Sequence, residues 1–133
     1  MASPLPLVML VDDNETDNFI SKRIIELSKF AARVEVCDSG KSALSYLQSH
    51  AGQPDALPDL IFLDINMPVV DGFIFMYEFE MLPDTIRQKC RIAVLSSSDN
   101  QRDINRMVGN DYVIKFVQKP LTQPALKELQ GFF

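Results

Sequence analysis

The amino-acid sequence predicts a doubly wound α/β fold, with a five-stranded parallel sheet and helices on both of its faces. Short segments of apolar, strand-forming residues alternate five times with segments whose apolar residues follow the spacing of a helix. The clearest strand segments are apolar throughout, which is typical of strands buried on both faces. Strands and helices that alternate in this way form βαβ units, and such units build parallel sheets.

The strands are predicted from short apolar runs. Residues 7–11 and 60–63 are uninterrupted apolar runs and predict the first and third strands. Residues 33–37, 91–95 and 112–117 predict the second, fourth and fifth strands. Residues 51–58 contain two prolines and a glycine, and they predict a loop before the third strand.

Helices are predicted between these strands. Their expected bounds are 16–28 with Thr16 as a possible cap, 39–49 with Ser39 as the cap, 72–81, 99–108 and 123–130. Pro83 follows the end of the third helix, and Pro124 occupies the first turn of the last. The helix over 99–108 has only Ile104, Met107 and Val108 as a thin apolar stripe, so we expect it to be weakly held.

Length and composition limit the classes of protein to consider. The chain has 133 residues, 47% of them hydrophobic, which suits one globular domain. Its formal net charge of -5 disfavours nonspecific binding to nucleic acid, which needs a basic surface. No apolar run is long enough to span a bilayer, and the N-terminus does not resemble a secretion signal. We therefore expect a cytoplasmic protein without a membrane or nucleic-acid partner.

The cysteines and the single histidine do not predict a site. Cys37 and Cys90 form no CxxC pair and have no histidine nearby, so we expect buried free thiols. His50 lies at the polar end of a predicted helix and receives no role. A zinc site or a histidine-based acid–base site is therefore not expected.

Polar residues follow four of the five predicted strands. They are Asp12 and Asp13 after the first, Asp64 after the third, Ser96 with Ser97 and Ser98 after the fourth, and Lys119 with Pro120 after the fifth. Each of these alone is ordinary loop or helix-cap chemistry. In a parallel sheet, however, all of these strand ends meet at the same edge, where ligands bind. We therefore expect three carboxylates, a hydroxyl and an ammonium group to share one crevice.

This set of groups is suited to binding Mg²⁺ and accepting a phosphoryl group. Three close carboxylates repel one another unless a cation neutralises them, and Mg²⁺ prefers oxygen ligands. Phosphoryl transfer depends mainly on positioning and on neutralising charge, for which Mg²⁺ and Lys119 are suitable. Ser96 can donate a hydrogen bond, and an aspartate can act as nucleophile and form an aspartyl phosphate.

The motifs around these residues closely resemble those of receiver domains in two-component signalling, the flavodoxin-like fold of the chemotaxis response regulator. The matching segments are Val11-Asp12-Asp13-Asn14, the run Asp-Ile-Asn-Met-Pro-Val-Val-Asp-Gly from Asp64 to Gly72, Leu95-Ser96-Ser97-Ser98, and Lys119-Pro120-Leu121. The resemblance extends over about residues 7–129 and implies the strand order 2-1-3-4-5. The segment that begins at Asp64 is highly specific.

The resemblance assigns roles to the acidic residues. Asp64 is implied to be the phosphoacceptor. Asp12 and Asp13 are implied to be the acidic pair that binds Mg²⁺, one directly and one partly through water. The backbone carbonyl of Asn66 is the further metal ligand that the resemblance implies.

The resemblance also implies a conformational switch. Ser96 and Lys119 are expected to contact the phosphoryl group, and the bond from Lys119 to Pro120 is often cis in this family. Phe116 occupies the switch-aromatic position, where tyrosine is frequent. After phosphorylation of Asp64, Ser96 is expected to turn inward and Phe116 to fill the space that it leaves. The helix over 99–108, the fifth strand and the last helix form the surface expected to change.

We expect residues 1–6 to form an N-terminal extension, residues 7–130 the receiver domain and residues 131–133 a C-terminal tail, with no output domain. The two terminal residues, Phe132 and Phe133, are expected to pack against the domain. The implied partner upstream is a sensor histidine kinase or a histidine phosphotransfer protein, and the downstream target is a protein that the sequence does not identify. The chain is expected to be a switch rather than an enzyme, catalysing only its own Mg²⁺-dependent phosphorylation and dephosphorylation, and to be a monomer or a phosphorylation-linked dimer.

Three alternative functions remain open. A small-molecule phosphatase or phosphotransferase of the haloacid-dehalogenase type also forms an aspartyl phosphate, but it has a second acid two residues after the nucleophile, where this chain has Asn66. A flavodoxin needs hydroxyl and glycine donors for a phosphate in its first loop, and Asp12 and Asp13 would repel that group. A phosphorylation-independent adaptor would not need Ser96, Lys119 and the acidic set.

Overall fold

The structure is a computed structural model that describes residues 3–133, which contain five strands and six α-helices. The strands are β1 (Leu5–Val11), β2 (Ala31–Cys37), β3 (Leu60–Leu63), β4 (Arg91–Ser96) and β5 (Val113–Gln118). The helices are α1 (Glu15–Leu27), α2 (Gly40–Ser49), α3 (Gly72–Phe79), α4 (Asp84–Lys89), α5 (Gln101–Val108) and α6 (Gln123–Gln130). A short 3₁₀ helix, Pro54–Ala56, lies in the predicted loop before β3.

The five strands form one parallel sheet in the order 2-1-3-4-5, as predicted. The pairing is in register at the carboxyl end of β1, where Val11 faces Cys37 of β2 on one side and Leu63 of β3 on the other. The backbone N–H of Asp64 donates to the carbonyl of Val11 at 3.0 Å. The residues that follow β1 and β3 are therefore brought side by side at one edge of the sheet.

Apolar side chains cover both faces of the sheet. On one face the core includes Phe75 and Phe79 of α3 together with apolar residues of α2, and on the other it includes Ile25 of α1 and Leu126 of α6. Neighbouring residues of β1 point alternately into the two cores, as a strand in the middle of a sheet requires. This double covering explains why the β1 and β3 sequences are apolar throughout.

The first helix begins one residue earlier than predicted, and its cap is a different residue. Asn14 is the N-cap rather than Thr16: its backbone is extended, and its side chain accepts a hydrogen bond from the N–H of Asp17 at 2.9 Å. An asparagine in this position satisfies one of the free N–H groups of the first turn. Ser39, in contrast, caps α2 as expected, since its hydroxyl accepts from the N–H of Ser42.

The helix α4 was not predicted, and α3 is two residues shorter than expected. α4 has only six residues, with Ile86 as its buried side chain, so its sequence has no helical period to detect. Pro83 lies at the N-cap of α4 rather than marking only the end of α3. A proline before the first turn is compatible with a helix because the N–H groups there have no partner within the helix.

Some other bounds differ by one or two residues. β1 begins at Leu5 because the N–H of Leu5 donates to the carbonyl of Phe30 at 2.9 Å and Leu5 pairs with Ala31. β5 begins at Val113, one residue after the predicted start. α5 begins at Gln101 rather than Asp99, because the side chain of Asn100 caps it.

The thin apolar stripe predicted for α5 is confirmed. Met107 is its buried residue, Ile104 is half-buried and Val108 is exposed. Both cysteines are buried free thiols, as expected, and burial raises the pKa of Cys37 to about 11 and that of Cys90 to about 12. At the C-terminus, the ring of Phe133 lies 5.2 Å from the guanidinium of Arg91, which also donates to the carbonyl of Phe132.

Among the residues described, 3–133, no helix is both long enough and apolar enough to cross a membrane.

Candidate functional site

The structure brings the three predicted acids together. Asp12 follows β1 and Asp64 follows β3, and these strands are neighbours in the sheet. One carboxylate oxygen from each of Asp12, Asp13 and Asp64 lies within 4.8 Å of the others. Asp12 and Asp64 are buried, whereas Asp13 is exposed. The site is therefore an acidic pocket with one side open to solvent.

Lys119 is the cation of this pocket. Its ammonium Nζ lies 2.6 Å from Oδ2 of Asp12, 2.8 Å from Oδ2 of Asp17 and 3.8 Å from Oδ2 of Asp64. The lysine side chain is only 13% exposed, so these ion pairs are partly shielded from water. The peptide bond from Lys119 to Pro120 is cis, as the sequence had led us to expect.

The electrostatics of the pocket show an excess of negative charge. The pKa of Asp64 is raised to about 6, mainly by burial and also by the charge of Asp12, although Lys119 and the backbone N–H groups of Asn66 and Ile65 act in the opposite direction. Burial by itself would lower the pKa of Lys119, but the hydrogen bonds that its ammonium donates to Asp12 and Asp17 and the charge of Asp64 outweigh burial and raise that pKa. The ionised form of Asp64 is therefore costly unless a further cation enters.

Asp12 is held in place from two directions. Its Oδ1 accepts from the N–H of Asn14 at 2.9 Å, and its backbone carbonyl accepts from Nδ2 of Asn18 at 2.8 Å. Asn18 is buried and lies on α1, so α1 fixes the chain where it leaves β1. The other carboxylate oxygen of Asp12, Oδ2, is the one that binds Lys119.

Ser96 ends β4 and is fully buried. Its hydroxyl Oγ accepts a hydrogen bond from the N–H of Ser98 at 3.1 Å, and its carbonyl accepts from the N–H of Lys119 at 2.9 Å. Ser98 has a loop role, because its own hydroxyl donates to Asp103 in the first turn of α5 at 3.3 Å. Ser97 is exposed beside Pro120.

The loop after β3 carries Asn66 and ends at Gly72, where α3 begins. Asn66 is exposed. The N–H of Gly72 donates to the carbonyl of Ile65 at 2.8 Å, which closes the loop. A Cβ at Gly72 would lie 2.8 Å from Cα of Ile65 and 2.9 Å from the carbonyl oxygen of Asp64, so a glycine is needed there. The loop is thus packed tightly behind the acid.

Phe116 lies in β5 and is half-buried. It pairs with Val94 of β4 and packs against the core on the face that α5 covers. The structure therefore places the predicted switch aromatic beneath α5, whose apolar stripe is thin. The motion expected of this ring stays a prediction.

Two residues of the site were missed by sequence reasoning. Asp17 was treated as part of a helix, although its carboxylate binds Lys119, and Asn18 was passed over, although it supports Asp12. The signal for Asp17 was its place in the first turn of the helix after Asp12-Asp13, because that turn starts at the same edge of the sheet. The signal for Asn18 was an amide within the buried face of α1.

The residues of the pocket fit a divalent cation. Among residues 3–133, the three converging carboxylates have one ammonium group near them, that of Lys119, and burial together with the charge of Asp12 raises the pKa of Asp64. Oxygen donors of this kind suit a hard cation such as Mg²⁺.

Comparison with known proteins identifies the family. Residues 8–130 match the response regulator receiver domain. The chain belongs to this family. Receiver domains bind Mg²⁺ or Mn²⁺ at an acidic pocket, and this chain has an acidic pocket formed by Asp12, Asp13 and Asp64. Receiver domains work with histidine kinases or phosphotransfer proteins.

Individual receiver proteins are similar over nearly the whole chain. A two-component response regulator from Cytophaga hutchinsonii has a TM-score of 0.87 and 30% identity, covering 97% of this chain and 96% of that one. The probable methanogenesis regulatory protein FilR2 of Methanothrix harundinacea is 31% identical over 121 residues, covering 91% of this chain and 76% of FilR2.

A third similar protein has been solved with a metal. Response regulator Rcp1 of Synechocystis is 26% identical over 104 residues, covering 77% of this chain and 69% of Rcp1. The crystal structure of the Mn²⁺-bound form of response regulator Rcp1 has a TM-score of 0.72 and 25% identity, covering 96% of this chain and 91% of that one.

Proposed function

We propose that this receiver domain accepts a phosphoryl group on Asp64 from a histidine kinase or a histidine phosphotransfer protein, and that it signals through the resulting change of conformation. The observation that carries the proposal is the position of Asp64. Its carboxylate is buried, has a raised pKa, and lies between two further acids and the ammonium of Lys119.

The proposed cofactor is Mg²⁺. The carboxylates of Asp12, Asp13 and Asp64 and the backbone carbonyl of Asn66 are the groups that would hold it. When bound, the ion supplies positive charge that offsets the charge of the acids and of the phosphoryl oxygens. The exposure of Asp13 leaves this side of the pocket open to an entering ion.

The transfer step needs a carboxylate oxygen of Asp64 in line with the donor. A bond forms between that oxygen and phosphorus while the bond from phosphorus to the donor's imidazole nitrogen breaks. The electron pair of the broken bond stays on the nitrogen, and the imidazole takes up one proton. Lys119 is placed to receive a phosphoryl oxygen, because its ammonium is already 3.8 Å from Oδ2 of Asp64.

Ser96 and Phe116 form the proposed switch. The hydroxyl of Ser96 accepts a bond from Ser98 but can donate to a phosphoryl oxygen by rotating about its own side chain. That donation would pull the β4 end inward and favour a new position for Phe116. α5, held mainly by Met107, has little packing to resist the change.

The alternative of a small-molecule phosphatase is weakened by Asn66. That residue lies two positions after Asp64, where such an enzyme needs an acid to activate water. An amide cannot take up the proton of the attacking water. The downstream target protein, the cytoplasmic location and the state of monomer or phosphorylation-linked dimer stay predictions.

The test is labelling by a small phosphodonor. We expect acetyl phosphate with Mg²⁺ to phosphorylate the wild-type protein, and we expect no labelling of Asp64→Asn. The matched control is Asp38→Asn, which removes an exposed carboxylate that follows β2 at the same edge of the sheet. Equal labelling of Asp64→Asn and the control variant would refute the assignment.

A further inference from the structure

Lys119 is bound by a carboxylate that lies outside the metal cluster. Its Nζ is 2.8 Å from Oδ2 of Asp17, a full ångström closer than its 3.8 Å distance from Oδ2 of Asp64. Asp17 does not belong to the group of acids whose oxygens converge, which consists of Asp12, Asp13 and Asp64. The proposed phosphoryl-binding lysine is therefore anchored on the α1 side of the pocket.

The fold fixes Asp17 at this place. The N–H of Asp17 donates to the side chain of Asn14 at 2.9 Å, which sets the first turn of α1. That turn starts directly after the Asp12-Asp13 pair, so its side chains rise beside the strand ends. The side chain of Asp17 is 35% exposed. Water can therefore solvate its carboxylate when the lysine turns to another acceptor, and the carboxylate is not left as a buried, unpaired charge.

The ammonium group has more acceptors than it can serve equally. It has three N–H donors, and the short contacts to Asp12 and Asp17 take two of them. A cation held by Asp12, Asp13 and Asp64 would draw Asp12 away from the lysine, but it would not engage Asp17. Asp17 is thus the acceptor that still binds the ammonium of Lys119 when the phosphoryl group arrives.

We propose that Asp17 is a positioning residue that holds Lys119 against α1 and competes with the phosphoryl group on Asp64 for its ammonium. This inference rests on the proposed function. Its consequence is that Asp17 lowers the stability of the phosphorylated state and favours the resting one. The residue acts through Lys119 and does not itself contact the reacting atoms.

The first test measures binding of beryllofluoride, a stable phosphoryl mimic, in the presence of Mg²⁺. We expect Asp17→Asn to bind it about three- to fivefold more tightly than the wild type, the range expected for losing one partly exposed competing ion pair. The matched control is Glu15→Gln, because Glu15 lies in the same turn and, among the described residues, makes no ion pair or side-chain hydrogen bond. Its affinity should equal that of the wild type.

Repeating the measurement in a Lys119→Met background separates the lysine from simple charge repulsion. In this background we expect Asp17→Asn to increase the affinity for beryllofluoride no more than Glu15→Gln does, because no ammonium is left for Asp17 and the phosphoryl mimic to compete for. An equal gain with and without Lys119 would overturn the role assigned to the lysine. Unchanged or weaker binding by Asp17→Asn in the wild-type background would overturn the proposal as a whole.

A second measurement uses the protein without metal. The carbon Cε of Lys119 reports the ionisation of its ammonium in an NMR titration, and we expect its pKa to fall in Asp17→Asn but not in Glu15→Gln. An unchanged pKa in Asp17→Asn would contradict the anchoring contact.

A wild type that binds no beryllofluoride would instead count against the proposed function, so the two failures can be told apart.

Discussion

The backbone N–H of Lys119 donates to the carbonyl of Ser96 at 2.9 Å. This bond joins the ends of β4 and β5, and it links the two residues whose side chains are proposed to contact the phosphoryl group. A displacement of Ser96 is therefore transmitted directly to the β5 end. β5 also packs against α5, a helix with a single buried side chain, Met107.

Replacing Lys119 should separate phosphorylation from activation. We expect Lys119→Ala to fold, since the side chain belongs to neither apolar core, but to lose the conformational response. The loss of one charge-assisted hydrogen bond of about 1.5–3 kcal/mol reduces the activated population by about tenfold or more. The measurement is the change in NMR shifts of β5 and α5 on phosphorylation by acetyl phosphate.

The control for this variant is Lys115→Ala, which removes a lysine within β5 that pairs with Glu128 on α6. It should respond as the wild type does. A full set of shift changes in Lys119→Ala would show that the lysine is not needed for the switch.

Removing the charge of Asp64 should stabilise the protein in the absence of metal. The pKa of Asp64 is raised from 3.8 to about 6, mainly by burial, so folding favours its neutral form. Its contribution to stability is therefore present below about pH 4 and is lost as the pH rises through about 6. We expect Asp64→Asn to have a free energy of unfolding about 1–3 kcal/mol above the wild type at pH 7.5.

Urea denaturation with a chelator at a series of pH values checks this. The difference between the two proteins should be largest above the raised pKa and should vanish only well below pH 3.8, where the wild-type carboxyl is neutral in both the folded and unfolded states. A difference that does not depend on pH would mean that the stability change comes from some other property of the asparagine.

The tight packing at Gly72 predicts a local effect on the acid. In Gly72→Ala, the new methyl group would meet backbone atoms of Ile65 and Asp64 at 2.8 and 2.9 Å, and backbone cannot yield as a side chain can. We expect a loss of about 1–3 kcal/mol in the free energy of unfolding and weaker Mg²⁺ binding. Gly52→Ala is the control, because a Cβ there has nothing within 4 Å. Equal Mg²⁺ affinity in both variants would contradict the coupling.

Val69 has an unfavourable backbone for its residue type. Its φ is 66°, in the left-handed region that a β-branched side chain rarely adopts, and its side chain is 92% exposed. Asparagine tolerates this region better, so we expect Val69→Asn to raise the free energy of unfolding by about 0.5–1 kcal/mol. Val108→Asn, at an exposed helical position, should give no gain. Thermal unfolding compares the two variants, and equal behaviour would contradict the strain.

Much of the fold was predictable because strong local signals agreed with one another. The apolar runs of β1 and β3 are long enough to mark strands buried on both faces, and their order fixed which polar residues follow which strand ends. α4 was not predicted because its six residues contain one buried side chain, which is too few to show the apolar spacing of a helix. The cap of α1 was misplaced because both Asn14 and Thr16 are good caps, and only backbone geometry decides between them.

The predicted acids and Lys119 meet in one pocket, but the sequence could not show how its contacts are distributed. Motif spacing places Lys119 near Asp64, yet its shortest contacts are to Asp12 and Asp17. Such a preference depends on side-chain directions across the boundary between α1 and β5, which no local pattern encodes. The sequence also could not show that the hydroxyl of Ser96 accepts a hydrogen bond from the N–H of Ser98, because that contact depends on the shape of the loop after β4.

The central claim is that Asp64, among three neighbouring acids, is the one that carries the phosphoryl group. Borohydride reduction of protein phosphorylated by acetyl phosphate converts an aspartyl phosphate to homoserine, and peptide sequencing by mass spectrometry then locates it. We expect homoserine at position 64. Homoserine at position 12 or 13 instead would contradict it.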